Sequence, residues 1–135
     1  MSLRIRISWP AGQTTATLEE TPTSQALAGV LPISSTARTW GEEVYFDTPV
    51  SAVVDAGARQ VVAPGTVAFW TEGDALALPF GPTPISQGWG SPRAEFAGEC
   101  RLASPCNLLG TLDGDPGVLA TVRDGDPIRV EAVHG

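Results

Sequence analysis

Lysine is missing altogether, and all eight basic residues are arginines. That removes Schiff-base chemistry and the phosphate-loop lysine from the functions open to the chain. Histidine is nearly as scarce: the single one, His134, sits close to the C-terminus, so a Ser-His-Asp triad has no base to be built around. Cysteine is limited to Cys100 and Cys106. With one histidine they fall short of the four ligands of a structural zinc site, and no metal site is expected. Two buried or half-buried free thiols are the expected state, with a disulfide between them left open. No GxSxG elbow, GxGxxG loop, P-loop, HExxH or CxxC is present. No apolar run approaches the roughly 20 residues of a membrane span, and no basic-then-apolar leader opens the chain. A cytoplasmic location without a membrane partner is therefore expected.

Positive charge is also in short supply, since the net charge is −7 and no arginine cluster offsets it. Such a surface repels phosphate backbones, which excludes nucleic acid as an expected partner. The acidic pairs Asp113/Asp115 and Asp124/Asp126 flank Gly114 and Gly125 between apolar runs, a turn pattern without calcium-loop spacing. No cofactor is implied.

Glycine and proline are plentiful. The 15 glycines and 12 prolines fall as punctuation between short apolar runs, which favours a turn-rich β architecture. "LRIRISW" (3–9) alternates strictly and turns at "PAGQ" into a strand near 14–18, a β-hairpin. Thr21 then N-caps a helix with Pro22 at its first position, with Ala26, Leu27, Val30 and Leu31 on one face and Pro32 as the stop. "STARTWGEEVYFDTPV" (35–50) reads as two strands joined at Gly41, with Val44 and Phe46 on one face and Glu43 and Tyr45 on the other. Strands follow at 59–62, 66–70 and 75–80. In the last, Leu76, Leu78 and Phe80 oppose a low-relief face of Ala75, Ala77 and Pro79. Residues 86–105 show no period, a lid or an excursion. Strand character resumes at 106–112 with Gly110 inside it, marking a bulge or a close approach. A short helix capped by Asp115 and a final strand at "PIRVEAV" (127–133) close the chain. About eight strands, one or two short helices and no interdomain linker predict a mainly β protein. It is expected to be a single domain over 1–135, a closed or nearly closed eight-stranded barrel, with a sandwich as the alternative.

Three segments carry side chains that packing alone does not call for. In "RTWGEEVYF" (38–46), Arg38 and Trp40 share one face and Glu43 and Tyr45 another, so a hairpin at Gly41 brings a guanidinium near an acid and a phenol. The functional reading is a polar, aromatic rim gripping a ligand, and the structural one is a surface ion pair worth about 0–1 kcal/mol. In "LALPFGPTPIS" (76–86), Phe80 offers a flat apolar wall and the two prolines fix Thr83 in place. The alternative is a rigid turn with Phe80 in the core. Asn107 is either a structural bridge or a hydrogen-bond donor to a pocket.

The segments "WGEEVYF" (40–46), "PGTVAFWTEGDALALPFGPTPIS" (64–86), "SPCNLLGTLDGD" (104–115) and "VRDGDPIRVE" (122–131) come in an order that resembles a family of small prokaryotic proteins with a cyclophilin-like β-barrel and no defined function. The resemblance implies an eight-stranded barrel capped by short helices, with a pocket near 40–46 and 80–84. The FHR and FxxQGG motifs of the standard peptidyl-prolyl isomerases are absent. Two functions are weighed on this basis. The first is a module binding a small molecule or proline-containing peptide turn through Arg38, Trp40, Glu43, Tyr45, Phe80, Thr83 and Asn107. The second is a prolyl isomerase with a rearranged site, using Arg38 and Phe80. Catalytic residues stay unassigned, and the oligomeric state is open.

Overall fold

Short alternating strands need partners on both sides, and here they find them by wrapping. The computed structural model describes residues 3–86 and 100–133. Among these residues ten strands form: β1 Leu3–Trp9, β2 Gly12–Leu18, β3 Ile33–Thr36, β4 Arg38–Thr39, β5 Glu43–Asp47, β6 Arg59–Val62, β7 Thr66–Trp70, β8 Ala75–Pro79, β9 Cys100–Leu112 and β10 Pro127–Ala132. The sheet runs β3-β10-β1-β2-β9-β7-β8-β5-β4, with β6 paired to β9 off that path.

Both ends of this path are one stretch of chain. Residues 33–36 pair with β10 and residues 38–39 with β5. Between them, Ala37 donates its N–H to the Asp126 carbonyl at 2.8 Å. The sheet thus nearly closes on itself, as a barrel must to remove its edges. The count exceeds the expected eight in part because this run registers as two strands, and β9 also starts early. The ladder to β6 makes β9 a strand from Cys100, six residues before the alternation shows it. The aperiodic stretch at 87–99 lies outside the described residues.

The interior is filled from alternate positions, with Ile5 and Ile7 of β1, Phe46 of β5, Phe69 of β7 and Leu76 and Leu78 of β8 all fully buried. α1, Pro22–Ala28, places Leu27 against this core. Its start follows the expected chemistry: the Ser24 N–H donates to Thr21 Oγ1 and the Thr21 N–H to Ser24 Oγ, a reciprocal cap worth about 1 kcal/mol. Its end differs. The helix stops at Gly29, whose N–H reaches back to the Gln25 carbonyl, leaving Ala26 and Val30 exposed and Leu27 the one deeply buried member of the expected apolar face. The second helix is a 3-10 turn over Pro116–Thr121, capped by Asp115 Oδ1 accepting from the Gly117 N–H. Gly110 lies where any Cβ would collide with the Thr17 carbonyl of β2, and an extra residue bulges β9 against β7 beside it. Among the described residues, no helix is long and apolar enough to cross a membrane.

Candidate functional site

The outer face of β5, β8 and β7 is built by the same alternation that fills the interior. Tyr45 stands opposite Ala77, and Ala77 opposite Ala68, so one row across three strands reads aromatic, small, small. The next row pairs Trp70 with Ala75. Small residues between aromatic ones leave a depression, because a methyl group cannot fill the height of a ring. Its floor is a separate apolar cluster of Ala68, Ala77, Leu102 and Cys106.

β9 supplies the far wall. Arg59 of β6 faces Cys106 and Val61 faces Arg101, so the residues between bulge out of the ladder. Pro105, which has no N–H to give, lies in that bulge. The bulge presents Leu102 and Ala103 to the depression. A cavity of about 170 Å³ results, lined by Trp40, Glu43, Tyr45, Trp70, Ala77, Leu102, Ala103 and Cys106. An engineered apolar cavity of about 150 Å³ in another protein admits benzene, which sets the scale.

Two of the walls are held rigidly. The Trp70 indole N–H donates to Ser104 Oγ at 2.9 Å. Its six-membered ring lies so close to Gly73 that no Cβ fits there. Trp40 and Glu43 flank a tight turn in which the Trp40 N–H meets the Glu43 carbonyl at 3.0 Å and Gly41 takes φ +60°. The corner at 80–86 clasps this turn. Glu42 N–H donates to the Pro82 carbonyl at 2.9 Å, and the Glu42 carbonyl accepts from Phe80 and Gly81. A Cβ on Gly41 would stand 2.8 Å from Pro84 Cδ and 2.9 Å from Thr83 Cα. The corner is tied in turn to β9: Thr83 Oγ1 donates to the Arg101 carbonyl, and the Arg101 N–H donates to Ser86 Oγ at 3.1 Å. It therefore braces both sides of the cavity without lining it.

Glu43 is the chemically exposed point of this arrangement. The residue is 6% exposed. Its Oε1 is the one buried side-chain nitrogen or oxygen without a hydrogen-bond partner among the described residues. Burial pushes its carboxyl up to about 7, so near neutral pH it exists as both acid and carboxylate. Cys106 is pushed up to about 12, by burial first and then by the charges of Glu43 and Glu72. A thiol so high is not a nucleophile at neutral pH. Cys100 and Cys106 are both buried, and neither is in a disulfide. Their partners on β6, Val62 and Arg59, are three residues apart, or about 10 Å along a strand. That exceeds the roughly 7 Å Cα limit of a disulfide.

Of the residues singled out from the sequence, Trp40, Glu43 and Tyr45 come together in the cavity, and the others are engaged elsewhere. Arg38 stands opposite Tyr45 in the ladder, but its guanidinium turns to Asp47 at 3.4 Å on the exposed exterior. Phe80 packs against the barrel core. Thr83 is fully buried and spends its hydroxyl on the brace. Asn107 is a bridge: its Nδ2 donates to Thr23 Oγ1 and the Val53 carbonyl, and its Oδ1 accepts from the Asp55 N–H at 2.9 Å. It staples α1 and the 53–55 loop to β9. Sequence reasoning missed Trp70, Ala77, Leu102, Ala103 and Cys106. The signal for the first two was present, because Trp70 alternates out of phase with Val67 and Phe69, and Ala77 lies on the low-relief face.

The aspartates of the DGD turns serve the fold. Asp113 accepts from Thr15 and Thr17 hydroxyls at 2.6 Å and from Arg4 at 3.1 Å, and these bonds hold its carboxyl below the usual range. Asp124 accepts from the Thr39 N–H and Asp126 from the Arg123 N–H. No group of three potential metal ligands occurs among the described residues.

The comparisons with known proteins agree with this architecture. A family model described as cyclophilin-like matches residues 1–131. A hypothetical protein from Archaeoglobus fulgidus, solved in solution, superposes with a TM-score of 0.79 at 35% identity, covering 98% of this chain and 95% of that one. No curated protein matches.

Proposed function

This chain belongs to the cyclophilin-like family, and we propose that it is a binding module whose outer-face cavity takes a small molecule or a peptide turn. The observation that carries this is the coincidence of two features in one place. A preformed, aromatic-walled cavity is lined by Glu43, whose Oε1 is the one buried side-chain nitrogen or oxygen left without a partner among the described residues. Leaving a buried acceptor unsatisfied costs about 1–3 kcal/mol, and such a cost is characteristic of sites completed by a ligand. Trp40, Tyr45 and Trp70 supply apolar contact, and Glu43 supplies the one directional polar interaction. Arg38 and Phe80, the pair on which an isomerase reading relies, are not among the lining residues.

A thermal-shift and tryptophan-fluorescence screen of small metabolites and proline-containing peptides tests the proposal, with Ala77→Leu as the control that fills the cavity from its floor. At least one compound is expected to raise the melting temperature of the native protein and to lose that effect in Ala77→Leu. A screen without stabilisers, or a stabilisation that survives Ala77→Leu, sinks the idea. In a protease-coupled assay of proline peptides, turnover is expected to match background. Turnover that disappears in Ala77→Leu would establish the isomerase instead.

A further inference from the structure

We propose that the cavity selects an organic cation, specifically a methylated or primary ammonium group, over neutral ligands of the same shape; this rests on the binding reading above. Among the described residues, the lining carries three aromatic side chains, Trp40, Tyr45 and Trp70, and a single carboxylic acid, Glu43, with no basic group. Aromatic faces are negative, and several of them around one space attract a desolvated ammonium more strongly than an uncharged alkyl group. The buried carboxyl adds a counter-ion whose Oε1 has no competing partner among the described residues. Glu72, in the turn between β7 and β8, acts on the Cys106 thiol from nearby and deepens the negative field. Arg38, opposite Tyr45 in the ladder, turns its guanidinium to Asp47 on the exterior. An anion entering this space meets acids and π-faces, and a neutral ligand leaves the carboxylate without a counter-ion. The ammonium answers both.

Glu43 also gives the interaction a pH dependence. It is half ionised near pH 7 in the empty protein, and a cation binds its ionised form. Among the described residues, the titratable groups sharing the cavity are Tyr45 on its own strand and Cys106 on β9, with Glu72 acting from the β7–β8 turn. Ala77 and Pro79, its neighbours on β8, bring none. Burial holds the Cys106 thiol far above the neutral range, so the change in affinity follows Glu43.

The test compares choline with its uncharged isostere, 3,3-dimethylbutan-1-ol, by calorimetry and tryptophan fluorescence on the full chain, with methylammonium and tetramethylammonium as further probes. Choline is expected to bind about tenfold or more tighter than the alcohol. Its affinity should rise about tenfold per pH unit below 7 and level off above it. Glu43→Gln, which keeps the side-chain volume, is expected to abolish the pH dependence and most of the preference. Trp70→Phe should weaken choline while leaving the pH profile in place. Equal binding of choline and the alcohol overturns the cation inference but leaves the binding module standing. Absence of binding by every probe, joined to a failed metabolite and peptide screen, removes both. A choline preference unchanged in Glu43→Gln overturns the assigned role of the carboxyl.

Discussion

The two faces of β8 are one residue apart and do opposite things. Leu76 and Leu78 point into the barrel, where Phe46 and Phe69 close around them and leave no exposed surface. Ala75 and Ala77 point outward, where the neighbouring positions carry Trp70 and Tyr45 and the space between stays open. The interior satisfies every demand of packing with large apolar groups. The outer face combines small floors, large rims and a buried acid with one oxygen unpartnered among the described residues. A fold gains nothing from that combination, which is why the outer face reads as the site and the inner face as the scaffold.

The sharpest way to break the comparison is to exchange the roles of adjacent residues. Leu78→Ala is expected to cost about 2–5 kcal/mol, since it opens a cavity in a close-packed core. Chemical denaturation measures that loss. Ala77→Leu, one residue away, should unfold within a few degrees of the native protein because it enters existing space. If the two variants lose comparable stability, the outer face is a second core and not a site.

Next in size is the pH dependence of Glu43. Its folded value near 7 stands above an ordinary 4.5, so burial of the charged form opposes folding. Stability is therefore complete below about pH 4.5 and is lost as pH rises through about 7, by up to ~3 kcal/mol. Glu43→Gln should flatten this part of the profile in urea titrations between pH 5 and 8. An identical slope in the variant would show that the carboxyl is solvated in solution.

The brace is tested by Gly41→Ala, expected to cost about 1–2 kcal/mol for the left-handed backbone, with the contact to Pro84 and Thr83 added. Beyond this loss, ligand affinity should fall, because Trp40 and Glu43 flank that turn. Loss of stability with unchanged affinity would separate the corner from the cavity. Smallest of all, Arg38→Ala should change stability by 0–1 kcal/mol, as expected of an exposed pair, and leave binding intact. A large loss of binding would return Arg38 to the site.

Much of the fold is legible in the order of residues alone. The alternation in 3–9, 43–47 and 75–79, the proline-capped helix at Thr21 and the glycine turn at 41 are local matters of period and backbone freedom, and they appear in the fold as the residues dictate. The early start of β9 is not legible, because its bulge destroys the alternation on which strand reading depends. The same holds for the roles of Phe80, Thr83 and Asn107. Each is a reasonable ligand contact by type, yet each is consumed by a partner far along the chain: the barrel core, Arg101 and the Thr23–Asp55 side respectively.

The amino-acid sequence by itself determined which side chains share a face: Glu43 with Tyr45, and Ala77 with Ala75 and Pro79, because side-chain direction in a strand follows from a period of two. Only the tertiary structure decided which faces meet. Pairing β5 with β8, β8 with β7 and β7 with β9 sets Tyr45, Ala77, Trp70 and Cys106 around one cavity. Those contacts span up to about sixty residues, and no local pattern encodes a register fixed by closure of the whole barrel.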